Sequence, residues 1–125
     1  MKRVNRFALR TVLVLHSCAL LVQPALAGEF LSGADQAVRL HEWLAWAILG
    51  LCSIQVILAA LGLRIGAATY WLLIGSALLL LAEGLQTGVG YGRFLSVHVP
   101  LGAIEFAVVL VQTISVFRPP AGSSQ

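Results

Sequence analysis

Four long apolar stretches, 7–27, 37–63, 67–89 and 94–117, take up most of this 125-residue chain. Each contains or approaches the ~20 residues needed to cross the hydrocarbon of a bilayer at about 1.5 Å per residue. The stretches are continuous and lack the period-two alternation of strands. A segment in lipid must satisfy its own backbone hydrogen bonds, which leaves helices. Breakers fall between the stretches, at 28–35, 62–66 and 90–93. Only 10% of the residues are charged, against roughly a quarter in a soluble domain, so lipid must solvate much of the surface. The expectation is an all-α integral membrane protein: a four-helix up-and-down bundle over 1–118, then a short disordered cytoplasmic tail, 119–125.

Lys and Arg set the expected orientation. Lys2, Arg3, Arg6 and Arg10 lie at or before the start of the first span, Arg64 lies between the second and third, and Arg118 follows the fourth. An even number of spans puts these six on one side, with Arg39 and Arg93 on the other. The positive-inside rule then gives a multi-pass protein of the cell inner membrane with both termini cytoplasmic. Residues 1–28 also read as a secretory signal, with a basic start, an apolar core, Pro24 and an Ala25-Leu26-Ala27 triplet. The apolar run reaching back to Phe7, and His16 and Gln23 inside it, favour retention as a first helix.

The net charge of +3 is dispersed and is no nucleic-acid signal. The partners expected are the lipid bilayer and either the chain itself or a larger membrane complex. Cys18 and Cys52 sit in apolar runs without a CxxC spacing, so neither suggests a zinc or redox motif.

Polar side chains inside spans are costly and turn toward a bundle interior. His98, Glu105 and Gln112 recur every seventh residue and form one stripe down the fourth helix. His41, Ile48 and Gln55 repeat that spacing on the second, as His16 and Gln23 do on the first, while Glu83 and Gln86 share a face of the third. The glutamines and His16 read as packing groups that fix helix register. Glu83 and Glu105, near mid-membrane, fit a charged pair that relays protons, or the quieter alternatives of two neutral acids or a histidine partner.

His41 and His98 are the informative pair. Their helices run in the same direction, each histidine lies five residues from the expected helix start, and in an up-down bundle the two helices are diagonal across the core. Two facing imidazoles at one depth suit a six-coordinate haem iron. Arg39 and Arg93 are candidates for its propionates, and Gly88, Gly90 and Gly102 for making room for a flat macrocycle.

Three segments carry a resemblance: Arg39-Leu-His41-Glu42-Trp43-Leu-Ala45, Glu83-Gly84-Leu-Gln86-Thr-Gly88 and Val97-His98-Val-Pro100-Leu-Gly102. They resemble one four-helix half of the haem A synthase family, and the layout is similar to that of uncharacterised small four-span bacterial membrane proteins. The resemblance implies a four-helix bundle with His41 and His98 as haem ligands. It departs at three points: there is one bundle where the synthase has two, Glu42 follows His41 where the catalytic glutamate precedes it, and the loop after the first span has no cysteine pair. Haem A synthesis by this chain alone is therefore not expected, and no nucleophile with a base or phosphate loop suggests another activity. Two functions of different class follow. One is a small b-type cytochrome-like module holding haem b near the outer leaflet for electron transfer or sensing. The other is a non-catalytic subunit or scaffold whose polar stripes serve packing only.

Overall fold

A computed structural model describes residues 1–118, and the predicted tail 119–125 lies outside the described residues. The fold is all-α. Helices α1 (Lys2–Leu31), α2 (Gln36–Arg64), α3 (Tyr70–Tyr91) and α4 (Leu95–Phe117) follow one another, and all four are long and apolar enough to cross a membrane. The expected spans fall inside these elements, except that 67–69 precede α3 and Phe94 precedes α4. α1 is longest relative to its apolar stretch because its basic first turns remain helical. It also continues through Pro24, so the cleavage-like Ala25-Leu26-Ala27 triplet is helical.

α1 packs against α2 and α4, and α3 packs against the same two, so α1/α3 and α2/α4 are the diagonal pairs. All three connections close alike. A residue in the left-handed region follows each helix: Gly33 (φ 100°), Gly66 (φ 65°) and Arg93 (φ 56°). In each, the next amide reaches back to a carbonyl five residues earlier: Ala34 to Glu29, Ala67 to Gly62 and Phe94 to Val89. This is the Schellman closure, which satisfies carbonyls the helix end leaves free. It turns the chain within a few residues and makes sequential helices antiparallel neighbours.

Few residues are fully buried, and they form layers. At the end holding both termini, Leu9, Leu13, Ala59 and Leu72 make an apolar layer. His16, Gln55, Ser76 and Gln112, all completely buried, form a polar layer. Leu20, Ile48, Cys52, Leu79 and Val109 form a second apolar cluster. Large apolar side chains such as Leu21, Ile57, Leu78 and Val111 point outward. Lipid is as apolar as leucine, so packing and hydrogen bonds between the helices hold such a bundle, rather than removal of apolar surface from water. Trp43, Trp46, Tyr91 and Phe94 are exposed at one end, and Tyr70 and Trp71 at the other, as interfacial belts require.

Candidate functional site

The polar layer is a directional hydrogen-bond chain that runs from Glu83 to Gln112, where the buried Gln112 Nε2 has no partner among the described residues. The Ser76 hydroxyl donates to the Leu72 carbonyl at 2.7 Å, so it accepts the Gln55 amide at 2.7 Å. The same Gln55 amide donates to Gln112 Oε1. Both donors being used, Gln55 Oε1 accepts from His16 Nδ1 at 3.0 Å. His16 Nε2 then shares one proton with Glu83 Oε1, 2.6 Å away. Sequence spacing marks His16 as a hydrogen-bonding packing group, and it is the hub of this layer: it joins three helices, including the α1/α3 diagonal. Cys52, His16 and Glu83 bring three potential metal-ligand atoms within 4.8 Å of one another. Both ring nitrogens of His16 are already engaged, so this cluster works as a hydrogen-bond hub.

Beyond the second apolar cluster the bundle opens into a cleft of about 510 Å³. Its apolar walls include Leu20, Leu21, Ile48 and Phe106, and Glu83 and Glu105 also line it. His41 and His98 face each other across it with ring centroids 6.1 Å apart and planes tilted by 51°. The matched depth expected from their offsets is what places them together.

Each imidazole is held by the same reciprocal clasp. His41 Nδ1 donates to the Gln23 carbonyl at 3.1 Å, and the Gln23 side-chain amide donates back to the His41 carbonyl at 3.2 Å. His98 Nδ1 donates to the Gln86 carbonyl at 3.1 Å, and the Gln86 amide returns to the His98 carbonyl at 2.8 Å. A carbonyl accepts only, so each Nδ1 must carry a proton, and in the neutral imidazole each Nε2 then holds the lone pair. Neither Nε2 takes a hydrogen bond among the described residues.

The two clasps come from equivalent places in two helical hairpins. In α2, His41, Ile48, Cys52 and Gln55 have the spacing of His98, Glu105, Val109 and Gln112 in α4. In α1, Leu9, Leu13, His16, Leu20 and Gln23 match Leu72, Ser76, Leu79, Glu83 and Gln86 in α3. The halves share the histidine clasp and differ at the acids, since Glu83 and Glu105 stand where the first hairpin has Leu20 and Ile48.

No family model, curated protein or solved structure matches this chain. The site must therefore be read from its own geometry.

The other expected residues divide. Gly102 lines the cleft, and a Cβ there would meet the Gln86 amide nitrogen at 2.7 Å, so its missing side chain makes room for the clasp. Gly88 has nothing within 4 Å of where a Cβ would stand. The close glycine is Gly90, whose Cβ would meet His98 at 2.9 Å from Cε1. Arg39 and Arg93 are exposed and outside the cleft lining. Glu42 is also exposed and accepts a 2.5 Å hydrogen bond from Tyr91. Four acceptor oxygens without a partner remain along the cleft, from Gln23, Glu83, Gln86 and Glu105. They were not legible beforehand, because which oxygen stays unpaired depends on the contacts of its neighbours.

Proposed function

We propose that the chain is a b-type cytochrome-like module that holds haem b between His41 and His98, for electron transfer or sensing. The observation that carries the reading is the pair of imidazoles 6.1 Å apart across the cleft, each with Nδ1 tied to a carbonyl. An ion held by two imidazole nitrogens at about 2.0–2.1 Å per bond puts the ring centres roughly 6 Å apart. A carbonyl on the second nitrogen is also the usual way a protein fixes the tautomer of a ligating histidine. The volume falls in the ~300–1,000 Å³ range of cofactor and ligand sites, and the small residues Ala27, Gly28, Ala45, Gly102 and Ala103 flank the histidines.

A bound haem would supply one-electron chemistry, its potential tuned by axial ligation and burial. The protein's part is to present two imidazole nitrogens, to keep water away with Leu20, Ile48 and Phe106, and to set two carboxyl groups close by. Arg39 and Arg93 lie outside the lining and have no assigned part in holding the propionates. Resemblance to one half of the haem A synthase family points to the same two histidines. The basic residues at the end holding both termini favour a cytoplasmic position for it in a bacterial inner membrane, with the cleft toward the outer leaflet.

Reduced-minus-oxidised spectra of protein expressed with haem and purified in mild detergent test the reading. The wild type should show a six-coordinate low-spin signature. His41→Ala and His98→Ala should each abolish it, and Glu42→Gln, outside the cleft, should keep it. A folded wild type without haem would leave the scaffold reading, in which the His16 hydrogen-bond layer serves to specify the bundle.

A further inference from the structure

Among the described residues, the end of the bundle formed by the start of α1 and the end of α4 carries charged side chains of one sign only. Lys2, Arg3, Arg6, Arg10, Arg64 and Arg118 lie there, whereas the acids of the sequence are Glu29, Asp35 and Glu42 at the other end and Glu83 and Glu105 inside. Three of these arginines, Arg6, Arg10 and Arg118, converge on one groove of about 480 Å³ between α1, the start of α3 and the end of α4.

The groove has a polar rim and an apolar floor. Leu9, Leu72 and Val116 line its inner part, and Thr69, Trp71 and Ser115 join the arginines. Arg10 is fixed: its Nε donates to the Val116 carbonyl at 2.9 Å, and its guanidinium carbon lies 4.9 Å above the Phe117 ring. That leaves the terminal nitrogens to donate elsewhere. The first turn of α3 opens on the groove, and its Tyr70 and Trp71 amides have no carbonyl within their own helix to take them. No acidic side chain pairs with an arginine among the described residues. Exposed Tyr70 and Trp71 put the groove at the level of lipid headgroups.

We propose that this groove binds the phosphate headgroup of an anionic phospholipid, with Arg6, Arg10 and Arg118 as its donors and an acyl chain along Leu9, Leu72 and Val116. Guanidinium forks suit phosphate oxygens, and basic pockets between transmembrane helices are known to take such headgroups. The apolar floor selects a lipid over a free phosphate ion. The site lies at the opposite end of the bundle from the histidine cleft and does not depend on haem.

Native mass spectrometry of the full chain, released from micelles containing equal phosphatidylglycerol and phosphatidylcholine, tests the proposal. The wild type should retain one phosphatidylglycerol in preference to phosphatidylcholine. Arg10→Gln and Arg6→Gln should each reduce that retention about tenfold. Arg64→Gln, at the same end but outside the groove, should not reduce it. Because Arg10 also ties α1 to α4, Arg6→Gln carries the test should Arg10→Gln fail to fold. Equal retention of both lipids, an equal loss in Arg64→Gln, or competition by millimolar inorganic phosphate would each overturn the proposal.

Discussion

Two glycines two residues apart illustrate how much a single position decides here. Residues 88 and 90 differ by about 200° around the helix axis at 3.6 residues per turn, so they cannot serve the same neighbour. Gly88 faces open space, whereas Gly90 lies against the His98 ring. An alanine at 90 would put its methyl carbon 2.9 Å from Cε1 and 3.1 Å from Nδ1, the atom that donates to the Gln86 carbonyl. The imidazole is planar, and its carbonyl bond fixes its orientation, so it cannot fold aside as a lysine tip would. Gly90→Ala should therefore displace His98, cost about 1–3 kcal/mol in stability, and convert a six-coordinate haem spectrum to a weaker or five-coordinate one. Gly88→Ala should leave both melting and spectrum unchanged. Thermal unfolding in detergent, followed by circular dichroism alongside the spectra, measures both. The sequence points to the glycine-rich end of α3 as the place where space is needed, but not to which glycine provides it. That depends on the rotation of α3 about its axis, which is set by contacts with α2 and α4.

Element by element, legibility follows the source of each signal. Helix number, order and the diagonal placement of α2 and α4 were readable because hydropathy and short connections determine them. The stripe of His98, Glu105 and Gln112 was readable because a seven-residue repeat keeps one face. The clasps were not, because the acceptor for each Nδ1 is a backbone carbonyl, and every residue has one. Residue type carries no information about which carbonyl is met. The turn between α3 and α4 gives a separate test. Gly33 and Gly66 occupy the left-handed position of their closures, yet the third uses Arg93 at φ 56°. A side chain there brings Cβ close to the following carbonyl, which costs about 1–2 kcal/mol. Arg93 lies outside the cleft lining, so nothing in the site offsets that cost. Arg93→Gly should raise the unfolding free energy by about 1 kcal/mol and leave haem retention unchanged. Loss of haem in a more stable Arg93→Gly protein would instead give the arginine a part in holding the cofactor.

For the whole molecule, the question is whether α1 belongs to the mature bundle. Its first twenty-seven residues have the outline of a secretory signal, and hydropathy alone leaves both readings open. The packing of α1 gives a physical reason to expect retention. α1 supplies Leu9 and Leu13 to one apolar layer and Leu20 to the other. His16 is the hub of the polar layer, and Gln23 holds His41. A chain beginning at Gly28 would leave Gln55 Oε1 without its donor and Glu83 without its imidazole. His41 would lose the carbonyl that sets its tautomer. Leaving a buried hydrogen-bonding group without its partner costs about 1–3 kcal/mol, and here it would come together with the loss of a packing face on α2 and α4. A disposable signal has no need of a histidine and a glutamine aligned on its buried face. Intact mass of the membrane-extracted protein should therefore include residues 1–27, less the initiator methionine at most. Expression of 28–125 alone should give a protein that aggregates or is degraded and binds no haem, and supplying α1 as a separate segment should restore folding. A wild-type mass beginning at Gly28, in a protein that still unfolds cooperatively, would make the functional unit a three-helix one and remove His16 and Gln23 from the site.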